Sequence, residues 1–178
     1  MSPMADVEDP QPPFWDSGSD RGVQPPLSDR AVLEAERLLK VRLPAALLDL
    51  LRERNGGLTA SGRDAFPTGR ATSWAPDHVP FDLVMGIGRR EDTLSMLDSP
   101  YLVEEWGLPA GVVLISGDGH HWIGLDYRTC GPYGEPSVAW FDADDGSDLP
   151  LAANFRAFVR GLTSADGFDG EQDGGSPA

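Results

Sequence analysis

The sequence predicts an α+β fold: a single domain with a mostly antiparallel sheet, helices packed against it and disordered termini. Three observations predict it. Two amphipathic helical patterns open the folded part. Short β-branched runs separated by tight turns fill the second half. A stripe of aromatic and aliphatic residues at helical spacing closes it. The chain has 178 residues, of which 40% are hydrophobic, and 5 Trp and 7 Phe supply large core volumes.

The first helix is expected over about Asp29 to Lys40, with Ser28 as N-cap and Val32, Ala35, Leu38 and Leu39 on one face. Pro44 suits the first turn of a second helix, whose apolar side is Leu47, Leu48, Leu50 and Leu51. Asn55-Gly56-Gly57 stops it, because these residues tolerate positive φ. A turn-rich stretch from Leu58 to Pro80 follows, with Trp74 and Phe81 as its anchors. Phe81 to Ile87 reads as a short strand, and Glu91 to Trp106 as a helix interrupted near Ser99-Pro100.

Val112 to Ile115 is a buried strand by its β-branched run. Gly117-Asp118-Gly119 turns the chain into a strand over His120 to Tyr127, in which Trp122 alternates with Ile123 and Leu125. Ser137 to Phe141 is a third strand, and Asp142 to Gly146 a turn. Asp148 and Pro150 mark the start of a final helix with Leu151, Phe155, Phe158, Val159 and Leu162 on one face. Short connections between the later strands predict antiparallel hairpins.

Outside this core, residues 1–26 are expected to be a disordered, Pro-rich acidic arm, residues 27–162 the domain, and residues 163–178 a flexible acidic tail. Phe14-Trp15, inside the arm, reads either as a local contact with the domain or as a short docking motif. The formal net charge is -15. Five acids (Asp6, Glu8, Asp9, Asp16, Asp20) against Arg21 put -4 in the arm, and Asp166, Asp169, Glu171 and Asp173 put -4 in the tail, leaving -7 for the domain. Such a balance disfavours direct nucleic-acid binding and favours a basic protein partner. No apolar run is long enough to span a bilayer, and the first residues lack the pattern of a signal peptide. With 1 Cys no internal disulfide forms, so a cytoplasmic protein with no membrane partner is expected.

Three blocks resemble the SMI1/KNR4, or SUKH, superfamily. The first runs from Glu34 through Val41-Arg42-Leu43-Pro44 to Asn55-Gly56-Gly57. The second is Leu108 to Gly119, leading to Ile123-Gly124-Leu125-Asp126. The third is Trp140-Phe141-Asp142, followed by Leu151 to Phe158. The sequence departs from the family pattern at His120-His121-Trp122, where small residues or Asn are common. The resemblance implies a SUKH-like α+β fold, a protein-binding role and no shared catalytic apparatus or cofactor. Bacterial members look like immunity proteins that neutralise polymorphic toxins such as nucleases or deaminases, and fungal relatives look like regulatory scaffolds.

His120 and His121, as strand neighbours, point to opposite faces and are poorly placed to share a metal, and His78 is the only other imidazole. The acidic run Asp142 to Asp148 fails the calcium-loop pattern, with Gly146 at position 5 and Ala153 at position 12, and reads as a turn with a helix N-cap. Cys130 reads as a plain loop thiol. Asp118 and Asp126 flank one strand as a carboxylate pair, and a small-ligand enzyme reading would need Cys130 or Asp126 beside His120 or His121 in a cleft. The expected partner contacts are Asp118, His120, His121, Trp122, Asp142, Asp144 and Asp145, together with the loop Asp64 to His78. Two uses of one binding domain remain open, an immunity protein and an intracellular scaffold.

Overall fold

The computed structural model describes residues 13–169. Helix α1 (Asp29–Leu39) is capped by Ser28, whose side chain accepts from the Ala31 N–H, and buries Val32 and Ala35. It ends at Lys40, in the left-handed region with φ 59°. Glu36 reaches past that end to accept the Leu43 N–H at 2.8 Å, fixing the turn into α2 (Ala45–Glu53). Pro44 occupies the N-cap rather than the first turn. Leu47, Leu48 and Leu51 are the buried face of α2.

Asn55-Gly56-Gly57 does more than stop α2. The buried Asn55 amide donates to Pro25 O (2.7 Å) and Ile87 O (2.8 Å) and accepts from Ile87 N (2.8 Å). Gly56, at φ 93°, lies where a Cβ would come within 2.7 Å of Gly22 O and Gly86 N. Three stretches of backbone thus cross at one point that only this motif accommodates.

One of those stretches corrects the expected arm. Within the described residues, 13–26 lie along the domain as a strap. Phe14 O accepts from Ala60 N (2.8 Å), Asp16 N donates to Leu58 O (2.9 Å) and Trp15 bridges Thr59. Gln24 is buried and bonded to Asn55 O through its N–H and to Arg90 N through its side chain. Phe14 packs on Trp15 and Phe81, so of the two readings of this pair it makes the local contact. Residues 1–12 of the arm lie outside the described residues.

Two short antiparallel pairs follow: β1 (Gly57–Leu58) with β4 (Leu83–Val84), and β2 (Ala65–Pro67) with β3 (His78–Pro80). Only Leu83 and Val84 of the stretch expected as a strand form one. The expected helix near residues 91–106 is a 3₁₀ turn, Met96–Asp98, running into α3 (Ser99–Glu105). A capping box between Ser95 and Asp98 starts it, and Pro100 lies in its first turn, where a missing N–H costs nothing, so the proline does not interrupt it.

The main sheet is a four-stranded antiparallel meander in the order β5 (Val112–Gly117), β6 (His121–Asp126), β7 (Ser137–Asp142), β8 (Asp148–Ala152). A bulge between Leu114 and Ser116 bends β5. The free side of β5 is covered, with Ile115 O accepting from Met85 N and Ser99 Oγ accepting from Leu114 N.

β8 corrects the sequence reading, which started a helix there. Gly146 N donates to Asp142 O and Asp142 N to Ser147 O, closing a hairpin that returns the chain beside β7. Leu149 and Leu151 are half-buried between exposed Asp148 and Pro150, a strand alternation, and Pro150 is tolerated because β8 is an edge. The helix, α4 (Phe155–Gly161), begins after Asn154, whose side chain accepts from Ala157 N at 2.8 Å. Its Phe158 stacks on Phe66 and meets the Phe81 ring edge-on at 4.8 Å, joining α4 to β2 and the sheet.

The expected tail is also partly docked. Thr163 and Ala65 exchange both backbone hydrogen bonds, at 2.8 and 3.0 Å, and Phe168 of α5 (Asp166–Asp169) stacks on His78 at 4.3 Å. Residues 170–178 lie outside the described residues.

Candidate functional site

The register of β6 on β7 pairs His121 with Asp142, Ile123 with Trp140 and Leu125 with Val138. Paired residues share a face, so that face is apolar along most of its length and polar at one end. At this end lie the β5–β6 turn and, tied to it by the bond from Ala143 N to His120 O (2.8 Å), the β7–β8 turn. Asp118, His120, His121, Asp142, Asp144 and Asp145 therefore come together at one edge of the sheet, although 27 residues separate the first from the last in sequence.

Both turns are held by their own carboxylates. Asp118 Oδ1 accepts from the His120 and His121 N–H groups, each at 3.0 Å. Asp142 Oδ1 accepts from Asp144 N (2.9 Å) and Asp145 N (3.3 Å). The Asp142 carboxylate thus stabilises a turn, as the sequence reading expected, whereas the helix N-cap expected in the same acidic run is absent: Asp148 begins β8 and Asn154 caps α4. Burial opposes its ionisation, but the Ser73 hydroxyl, the two backbone N–H groups and the His121 ring together hold its carboxyl below the usual range.

Two of the expected contacts are corrected. Trp122 is 1% exposed, with its Nε1–H donated to Gly119 O at 3.1 Å. Asp142 is 2% exposed. Neither presents a side-chain surface. Trp122 is buried because Gly117 has no side chain: a Cβ there would come within 2.2 Å of the indole ring. Exposed His120 bonds Asp144 (3.1 Å) and sits edge-on to Trp106, and the Asp144 carboxylate raises its pKa above the ordinary imidazole value.

His121 turns the other way. It stacks on Trp140 with centroids 5.0 Å apart, and its Nε2 lies 3.0 Å from Ser73 Oγ. Ser73 donates its hydroxyl proton to Asp142 Oδ2. Ser73, His121 and Asp142 have the composition of a hydrolase triad but different wiring. With the serine hydroxyl donating to the carboxylate, Ser73 Oγ accepts from Nε2–H and is not deprotonated by it. Nδ1 is buried without a hydrogen-bond partner, 3.9 Å from Asp118 Oδ2.

Ser73 and Trp74 come from the loop Asp64 to His78, and Trp74 closes over His121 edge-on at 5.9 Å. Beneath it is a narrow cleft of ≈ 60 Å³ lined by Trp74, Pro80, Asp82, Asp118, His121 and Trp140. It shares Asp82, Gly117 and Asp118 with a wider groove of ≈ 400 Å³ that is also lined by Arg21, Leu83, Asp92 and Leu94. Sequence reasoning missed Asp82 and Trp140. The alternation of β6 and β7 marks Trp140 as sheet-facing, but nothing local places Asp82 opposite Asp118.

The other candidates lie elsewhere. Asp126 ends β6 five residues from His121, about 17 Å along the strand, and is bonded to Arg128 at 2.9–3.0 Å. That contact holds its carboxyl below the usual range, and Arg128 also bridges to Asp148. The pair Asp118 and Asp126 is thus split between the ends of the strand. Cys130 is exposed beyond that far end, with its Sγ directed to Gly131 O. His78 bonds Asp77. Among the described residues, no three His, Cys, Asp or Glu side chains are grouped to hold a metal, and no helix is long and apolar enough to cross a membrane.

Fold and site together define an α+β domain: an antiparallel meander backed by helices, with its polar groups gathered at one end. A family model described as SUKH_6, SMI1-KNR4 cell-wall, matches residues 29–159, and the chain belongs to that family. The match spans all three sequence blocks that resemble it. No curated protein matches the chain.

Proposed function

We propose that this domain is a non-catalytic, cytoplasmic protein-binding module that acts as an immunity protein, neutralising a toxin by covering its active site or substrate groove. The observation that carries this reading is the gathering of Asp82, Asp118, Asp144 and Asp145 with exposed Trp74 and His120 at one end of the sheet. An acidic rim speeds encounter with a basic partner such as a nuclease, and aromatic anchors slow its release. Membership of the SMI1-KNR4 family supports a protein partner. The serine wiring described above supports a structural role for the Ser73–His121–Asp142 network.

The test is co-purification with any toxin domain encoded beside this chain's gene, at low and high salt. A complex that forms at low salt and suppresses toxin activity supports the reading. Absence of any complex under both conditions overturns it.

A further inference from the structure

Three groups in the cleft lack a partner of their own. The Asp82 carboxylate has no hydrogen-bonding or ionic partner among the described residues. Trp140, 2% exposed and lining the cleft, has an indole N–H with nothing to donate to. His121 Nδ1 is buried without a hydrogen-bond partner. The Asp118 carboxylate accepts hydrogen bonds only from turn N–H groups, and its Oδ2 lies 3.9 Å from His121 Nδ1, within ion-pair range but too far for a hydrogen bond. Trp74, 47% exposed, offers a ring at the mouth.

We infer that this cleft is a slot for an arginine side chain carried on a peptide segment of a protein partner. The inference rests on the protein-binding reading and adds to it the chemistry of the recognised residue. Two carboxylates and an aromatic ring call for a cation that is planar, carries several N–H donors and stacks on an indole, which describes a guanidinium better than an ammonium. The orphaned Trp140 N–H needs an acceptor, which a guanidinium lacks and the carbonyl of the same peptide supplies. The narrow end suits a side-chain head and falls far short of a metabolite pocket. The wider groove that shares Asp82 and Asp118 takes the rest of the segment.

The test uses the full chain labelled with ¹⁵N and the peptide acetyl-Gly-Arg-Gly-amide, with acetyl-Gly-Glu-Gly-amide as control. Saturable movement of the Trp74 and Trp140 indole N–H signals with the arginine peptide alone, weakened about tenfold in the D82N/D118N variant, is the expected result. The Asp118→Asn amide retains an oxygen to accept the turn N–H groups, Asp82 makes no such bond, and unmoved β6 and β7 amide signals beyond His121 establish that the variant is folded. Trp74→Ala gives a second reading on an exposed loop and also weakens binding. No saturable movement, or equal movement in D82N/D118N, overturns the slot. A cognate toxin domain whose complex survives D82N/D118N intact defeats the slot and leaves the protein-binding reading standing. Arginine-peptide binding with no toxin complex does the reverse to the immunity role.

Discussion

Replacing Asn55 with Ala tests whether one amide joins three segments of the fold. The native side chain makes three hydrogen bonds, two donated to Pro25 O and Ile87 O and one accepted from Ile87 N, all between 2.7 and 2.8 Å. Each contributes about 1 kcal/mol net, and truncation leaves buried groups unpaired, which raises the loss further. The expected destabilisation is about 3–5 kcal/mol, a large part of the 5–15 kcal/mol available to an ordinary domain. With a urea slope of about 2 kcal/mol/M, the unfolding midpoint falls by roughly 1.5–2.5 M. Asn55→Asp is no milder, because a carboxylate oxygen then faces the two carbonyls that the amide N–H groups now bond. Hydrogen exchange supplies the second readout: the Gln24 N–H, bonded to Asn55 O at 2.8 Å, exchanges faster in either variant as the strap loosens. A loss under about 1 kcal/mol, or unchanged exchange at Gln24, would show that the strap is held by something other than this crossing.

Gly117→Ala forces a Cβ into the Trp122 ring, whose nearest atom is 2.2 Å away, and is expected to cost about 1–3 kcal/mol in thermal or urea unfolding. The Asp142 carboxyl has a folded pKa below its unfolded one, so its stabilisation is complete above the ordinary carboxylate pKa and is lost as pH falls through the folded value. The melting temperature of the native chain should accordingly fall more steeply below about pH 4 than that of Asp142→Asn, and parallel curves would refute the assignment. Finally, chains starting at residue 13 and at residue 27 differ only by the strap. Partial burial of Phe14 and Trp15 predicts that the shorter chain is less stable by at least about 2–3 kcal/mol, read by denaturant titration.

The elements read most clearly from sequence were those whose pattern is local. The α1 and α2 faces follow from Val32, Ala35, Leu47, Leu48 and Leu51 at helical spacing, and β5 from its β-branched run. The turn chemistry of Gly117-Asp118-Gly119 and of Asp142 to Gly146 was equally legible, since glycine and aspartate mark tight turns by their own backbone bonding. Leu151-x-x-x-Phe155 misled because a strand and a helix meet there in sequence, and an i, i+4 coincidence spans the junction. Pro10 to Pro26 suggested disorder because composition weighs each residue alone, whereas Gln24 is ordered by partners at Asn55 and Arg90.

The sequence by itself determined the fold class, the order of most elements and the two acidic turns, because hydrophobic period and turn chemistry act over a few residues. Only the tertiary structure decided that Trp122 and Asp142 are buried while Trp74 and Asp82 border a cleft. It alone set Ser73 against His121 across 48 residues of chain. The physical reason is that exposure and charge neighbourhood belong to surfaces assembled from distant segments, and a linear pattern specifies which residues seek burial without specifying what will cover them.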